Sequence, residues 1–280
     1  MTDIHSLQDT PLSDIVRAFR GAFADYAVAF SEAEILSILR RRGFDPSLSF
    51  AAFEQGQIVG FTYNGIGPAD GLLSAYDTGT GVLPSHRGQG LAEQIFTASL
   101  PGLRRRGVRQ YLLEVLTDNR AAQTVYQKLG FRVSRTFNCY RRSHPGAVSA
   151  ASRYTIVPCA VSALVAAAGD YDFKSSWQNS PEALVRAGDD LTCLEARHQG
   201  QPVGHCVFDA ATGDLSALVV VPAYRRQGVG RSLLQAVYAL CHASAVKCLN
   251  VETGAQALSA FLEHNGFSLL CQQYEMRLDI

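Results

Sequence analysis

The chain has 280 residues, 47% of them hydrophobic and 18% charged, enough apolar material for more than one core. Its 25 Lys and Arg balance its 25 Asp and Glu, so no net charge draws it to nucleic acid or to an anionic membrane surface. The length predicts two domains.

The first residues show neither a basic start nor an apolar stretch, which predicts no secretory signal and a cytoplasmic protein. Apolar runs such as Ala160 to Ala168 are too short to span a bilayer. Thr10 to Asp14 carries helix-start chemistry, and Ile15, Phe19 and Phe23 then recur every four residues. Ser31 and Glu34 form the S-x-x-E signature of a capping box heading a second helix, which Gly43 ends. Arg40 to Arg42, like Arg104 to Arg106 further on, is expected to be a cluster that complements the helix dipole. Ser49 to Glu54 and Gln57 to Asn64 read as strands about Gln55-Gly56, with the next turn at Asn64-Gly65 and Gly67-Pro68. Leu72 to Leu83 is a further strand, and its glycines at 79 and 81 predict a bulge or a closely approaching backbone.

That strand ends at Val82-Leu83-Pro84. Arg87-Gly88-Gln89-Gly90-Leu91-Ala92 follows in the spacing R-x-x-G-x-A, and a helical pattern starts at Leu91. Small residues here leave backbone N–H groups at a helix N-terminus free to hold an anion such as a pyrophosphate. The third glycine of a dinucleotide fingerprint is missing, and so is the Lys-Ser/Thr end of a Walker loop. Pro101 is expected to end or kink the helix. Tyr111 to Leu116 is the next strand, and Asp118-Asn119 caps a helix that carries Tyr126 and stops at Gly130. A strand then runs to about Tyr140.

Arg142 to Ser152 is small, polar and interrupted by Pro and Gly, which predicts domains at 1–142 and 153–280 joined by a linker at 143–152. The second half repeats the first. Val220-Val221-Pro222 leads into Arg225, Gly228 and Gly230, with Arg225 lying 138 positions after Arg87, and Phe267 lies 136 after Phe131. Such an offset marks a domain duplication rather than a solenoid. The seven cysteines are odd in number and form no C-x-x-C, so they read as reduced and structural. His86 and His205 have no carboxylate at a spacing that marks a site.

Asn119 to Phe131 reads N-R-A-A-Q-T-V-Y-Q-K-L-G-F. With the two glycine loops, this segment resembles the GCN5-related N-acetyltransferase (GNAT) superfamily, present in tandem. The resemblance implies an α/β fold of two units, each a central mixed sheet flanked by helices. It implies acetyl-CoA as co-substrate, an amine as acceptor and no metal. The donor would be held by Val82, Leu83, Arg87, Gly88, Gln89, Gly90, Leu91 and Ala92, with Asn119 nearby. Val220, Val221, Arg225, Gly228 and Gly230 would do the same in the second copy. It also implies that a bulge around Thr78 to Gly81 turns backbone groups toward the thioester, and that Asp25, Tyr26, Phe30 and Glu32 shape the acceptor entrance.

Direct acetyl transfer needs a neutral amine, a stabilised oxyanion and a proton for the departing thiolate. Tyr126 matches the tyrosine that many members of the superfamily use as general acid. Asp77 and Glu114 are candidate bases, beside a water relay to bulk. Leu262 and Ala255 stand in the second copy where Tyr126 and Asn119 stand in the first, so the first domain is expected to perform the chemistry and the second to be degenerate. The alternatives are a non-catalytic acyl-CoA sensor and an active second domain. The expected assembly is a monomer or a homodimer, and the sequence does not name the acceptor.

Overall fold

The computed structural model describes residues 2–25, 30–144, 153–162 and 172–280. The chain forms two compact units, one comprising Met1–Ser134 with Glu275–Ile280 and the other Arg135–Tyr274. This differs from a boundary at 143–152. Arg142 and Ser143 are strand residues, 145–152 lie outside the described residues, and the chain's last six residues belong to the first unit.

In the first unit, β1 (Asp3–Ser6), β2 (Phe50–Glu54), β3 (Gln57–Ala69), β4 (Leu72–Val82) and β5 (Gln110–Leu116) lie in that order, and β12 (Ser268–Asp279), of which residues 275–279 belong to this unit, follows β5. Pairing from β1 to β4 is antiparallel, whereas β4 and β5 run parallel. Helices α1 (Leu12–Ala22) and α2 (Glu32–Arg42) bury Ile15, Phe19, Ile35 and Leu39 against one sheet face with Phe61 and Tyr63. Helix α3 (Leu91–Arg105) packs Leu91 and Ile95 with Ala52 and Val59. The capping box of α2 is complete: Ser31 Oγ accepts from the Glu34 amide at 3.2 Å and Glu34 Oε2 accepts from the Ser31 amide at 2.7 Å. Gly43 ends that helix in the left-handed region at φ 77°.

Two local expectations fail. Strand β3 runs through Asn64, Gly65 and Gly67 to Ala69, and the turn falls at Asp70-Gly71, both with positive φ. Gly65 marks a close approach instead, because a Cβ there would stand 2.0 Å from the Arg42 carbonyl oxygen. Of the end or kink expected at Pro101, the end is absent: helix α3 continues to Arg105. Helix α4 (Arg120–Lys128) begins as expected at Asn119, whose Oδ1 accepts from the Ala122 amide at 3.1 Å.

The second unit contains β7 (Thr155–Pro158), α5 (Pro181–Ala187), β8 (Thr192–His198), β9 (Gln201–Phe208) and β10 (Leu215–Val220). It continues with α6 (Val229–Leu240), β11 (Ala245–Glu252) and α7 (Gln256–His264). Strands order as β10-β9-β8-β7, while β11 pairs antiparallel with β6 (Arg132–Ser143). Leu194, Phe208, Leu233, Val237 and Leu262 are buried together in its core. Among the described residues, no helix is long and apolar enough to cross a membrane.

Candidate active site

The site of the first unit starts from a fork in its sheet. The parallel ladder between β4 and β5 pairs Ser74 with Gln110, Ala75 with Tyr111 and Tyr76 with Leu112, and stops there. Both strands run on, β4 to Val82 and β5 to Leu116, leaving two facing edges of backbone. At the fork β4 carries the expected bulge: Asn64 pairs with Asp77 and Tyr63 with Gly79, so Thr78 is the extra residue. At Gly79 and Gly81 the close approach is by side chains rather than by the backbone that the sequence suggested. A Cβ at Gly79 would lie 3.0 Å from Phe19, and one at Gly81 would lie 2.8 Å from both Ala22 and Phe61.

The bulge aims Asp77 at helix α4. Tyr126 donates its hydroxyl to Asp77 Oδ2 at 3.2 Å, and Thr80 donates to the same oxygen at 2.9 Å. The other carboxylate oxygen, Oδ1, is buried and has no hydrogen-bond partner among the described residues, nor has the neighbouring Thr78 hydroxyl. Burial raises the Asp77 pKa to about 6, offset in part by the Thr80 and Tyr126 hydrogen bonds and by the Arg42 charge. Tyr76 and Tyr111 line the same region, with phenol pKa values pushed well above 10 by burial and, for Tyr76, by the Glu114 carboxylate. Asp77 and Tyr126 are thus brought together from β4 and α4, while Glu114 of β5 lies against the Tyr76 phenol.

The loop beyond β4 joins two left-handed glycines to a helix N-terminus, an arrangement able to hold an anion. Gly88 and Gly90 sit at φ 78° and 71°, conformations that favour glycine, with no atom within 4 Å of a Cβ at Gly88. Gln94 donates to the Gly90 carbonyl at 3.1 Å as the first bond of α3, which leaves the amides of the first helical turn unused by the helix. Leu83 and Arg87 are both engaged within the chain. The Leu83 amide donates to the Val59 carbonyl at 2.9 Å, so by strand alternation it is Val82 whose N–H points away from β3. The Arg87 guanidinium turns back to the Val82 carbonyl (3.2 Å), the Ala22 carbonyl (3.0 Å) and Asp25 (3.0 Å). Of the other residues expected at the acceptor entrance, Phe30 packs edge-on against Phe19, Glu32 opens α2, and Tyr26 lies outside the described residues.

The second unit repeats this scaffold with different side chains. Leu215 pairs with Phe208 and Ala217 with Val207, so Ser216 is bulged 138 positions after Thr78. The Val221 amide donates to Val203, Ser232 donates to Gly228, and Arg225 turns back to the Val220 carbonyl (3.0 Å) and Asp172 (2.5 Å). A cavity of about 420 Å³ opens there, bounded by Gly228 and Gly230 of the loop, Leu218 and Val220 of β10, and Leu258 and Phe261 of α7. Leu215 and Leu262 occupy the places of Asp77 and Tyr126.

Sequence reasoning missed Arg42, Thr80 and Tyr76, which reach the site from α2 and β4. The periodicity of a lone helix does not say what its last turn touches. It also missed two histidine pairs: strand register sets His205 Nε2 3.0 Å from Glu195 Oε2, and the turn after β4 sets His86 Nε2 3.0 Å from Glu54 Oε2.

Comparison with known proteins agrees with this fold. The sequence profile of the acetyltransferase (GNAT) family matches residues 13–131, and that of an acetyltransferase (GNAT) domain matches residues 189–269. A mycothiol acetyltransferase of Streptomyces avermitilis is 35% identical over 98 residues, 35% of this chain and 31% of that protein. N-alpha-acetyltransferase 30 of Schizosaccharomyces pombe is 32% identical over 97 residues, 34% of this chain and 65% of that protein. The match thus spans about a third of the length of such a mycothiol acetyltransferase. A tandem GNAT protein from the clavulanic acid biosynthesis pathway superposes over 100% of this chain and 98% of its own, with a TM-score of 0.72 at 15% identity, a likeness of fold.

Proposed function

The chain belongs to the GNAT acetyltransferase superfamily as a tandem of two such domains, and from that premise we propose that it acetylates a primary amine, with the chemistry in the first unit. The acceptor is an amino group of a small molecule, a peptide or a protein, and the donor is acetyl-CoA. The observation that carries this reading is the Tyr126–Asp77 contact at the mouth of the fork, 3.2 Å long and without a counterpart pair in the second unit.

At neutral pH, Asp77, titrating near 6, is ionised and able to take a proton from the incoming ammonium. The neutral amine attacks the thioester carbonyl, a C–N bond forms, the electron pair of the breaking C–S bond leaves with sulfur, and the nitrogen, cationic once bonded, releases its extra proton to water. Val82 offers its N–H to the oxyanion, and the loop amides from Gly88 to Ala92 hold the diphosphate end. Tyr126 gives its proton to the thiolate. Because Tyr126 donates to Asp77, the proton gained from the amine can return through the carboxylate to the phenol, and the enzyme ends as it began. Glu114, against the Tyr76 phenol, lies further from this relay. Arg87 supports the donor loop through its contacts to α1 rather than by pairing with phosphate.

Kinetics on Tyr126→Phe test the assignment. Turnover with acetyl-CoA should fall about 100-fold, the usual worth of a positioned acid, with little change in the KM for acetyl-CoA. An unchanged kcat removes Tyr126 from the mechanism.

A second reading concerns the other unit. Its cavity of about 420 Å³ and its matching loop favour binding of an acyl-CoA without turnover, since leucines replace both proton-handling residues. Calorimetric titration with acetyl-CoA then gives two sites per chain, and one site rejects this second reading.

A further inference from the structure

Arg42 closes a run of three arginines at the end of α2, which the sequence presents as a complement to the helix dipole. In the structure its Nη1 donates to the Thr78 carbonyl at 2.9 Å, and its guanidinium stands 5.8 Å from the Tyr76 ring centre. Thr78 is the bulged residue, set between the two flanking ladder pairs, and Arg42 takes its carbonyl. The helix end is fastened at the same level. The Ile66 amide donates to Gly43 (2.9 Å), the Asp45 amide donates to Asn64 (2.9 Å), and Gly65 lacks the Cβ that would strike the Arg42 carbonyl. Three separate contacts therefore bring the last turn of α2 onto the bulge from which Asp77 projects.

Resting on the catalytic reading of the first unit, we propose that Arg42 is a positioning residue for its reaction. By gripping the Thr78 carbonyl it fixes the bulge, and so keeps Asp77 within reach of Tyr126.

The groups facing the Asp77 carboxylate are Arg42 from α2, Tyr76, Thr80 and the Gly79 backbone from β4, Tyr111 from β5, and Tyr126 from α4, with Glu114 of β5 against the Tyr76 phenol. Arg42 is the cation among them, so its removal should move the acid limb of the rate profile to higher pH.

The test uses the full chain with acetyl-CoA and the best acceptor from a panel of amino sugars, arylalkylamines and peptides, following thiol release. Arg42→Met, which keeps the stem, should lower kcat about tenfold or more, a loss of the order expected from misplacing a proton-handling group, while the Kd for CoA by calorimetry stays within about twofold. Arg42→Lys keeps the charge and should restore the position of the acid limb without restoring kcat. A carboxyl-carbon NMR titration of Asp77 in wild type and Arg42→Met reports the same shift without turnover. Wild-type kcat and an unmoved limb in Arg42→Met overturn the proposal, as does a loss confined to CoA affinity. Asp77→Asn separates the two ideas. If it retains full turnover, the catalytic reading itself falls and takes Arg42 with it; if it is inactive while Arg42→Met is normal, only the role of Arg42 falls.

Discussion

At the scale of residues, Asp77 trades stability for chemistry. Its carboxyl titrates near 6 in the folded chain against an ordinary 3.8, because burial disfavours the charged form more than Thr80, Tyr126 and Arg42 favour it. A raised carboxyl pKa means that the folded state holds its proton more tightly than the unfolded chain. The penalty is therefore absent below about pH 4, grows between about 4 and 6, and is complete above that window. Two pKa units correspond to up to about 3 kcal/mol. Asp77→Asn keeps an acceptor for Tyr126 and Thr80 and removes the charge. It should raise the melting temperature of the first unit at pH 8, show no such gain at pH 4, and abolish transfer at both. Thermal melts of wild type and variant at the two pH values check this. A variant less stable at pH 8 would mean that the carboxylate is well solvated in the native state.

At the scale of elements, the close seat of α1 on β4 depends on glycine at 79 and 81. Gly81→Ala places a methyl 2.8 Å from both Ala22 and Phe61, and Phe61 is buried among Phe19, Phe23 and Tyr63 with no room to give way. The cost should be about 1–3 kcal/mol by denaturant unfolding, the usual range for overpacking a filled core. Gly56→Ala, where nothing lies within 4 Å but φ is 76°, isolates the smaller backbone term, about 1 kcal/mol. Equal losses would mean that α1 can move away. These glycines also show what was legible in the sequence. The capping box at Ser31, the strand into Pro84, the cap at Asn119 and the bulge are local, and each carries a local signal. Asn64-Gly65 carries the same signal as a turn, yet its cause is the carbonyl of Arg42, far away in the chain. The meeting of Asp77 with Tyr126, 49 residues apart, needs the fork between β4 and β5, and only the fold supplies it. Strand register likewise joins His205 to Glu195, which alternation along either strand cannot reveal.

At the scale of the whole molecule, the first unit is completed by the last residues of the chain. Glu275 and Met276 are 4% and 1% exposed, and Ser134 donates its hydroxyl to Glu275 Oε1 at 2.8 Å. The Ile280 amide donates to the Arg109 carbonyl at 3.1 Å, directly before β5, the strand that forms one side of the fork. Truncation after Tyr274 removes these contacts. The loss of the buried Met276 side chain alone is worth roughly 2 kcal/mol or more, and β5 would gain an uncovered edge. Hydrogen exchange followed by mass spectrometry should then show lost protection in peptides covering Gln110–Leu116. The core of Leu194, Phe208, Leu233 and Val237, which includes none of the deleted residues, should keep its protection. Unchanged exchange in β5 would show that the first unit closes without its last strand. The arrangement has a kinetic side as well. A unit that begins at residue 1 and is finished by residues 275–280 relies on contacts of very high sequence separation, whose loop-closure entropy must be met before they stabilise anything. The forked sheet that carries Asp77 can therefore be completed only once the entire chain is available, so refolding of β5 protection in the full-length protein should lag behind that of the β8–β9 hairpin, whose partners are joined by the short Gln199-Gly200 turn.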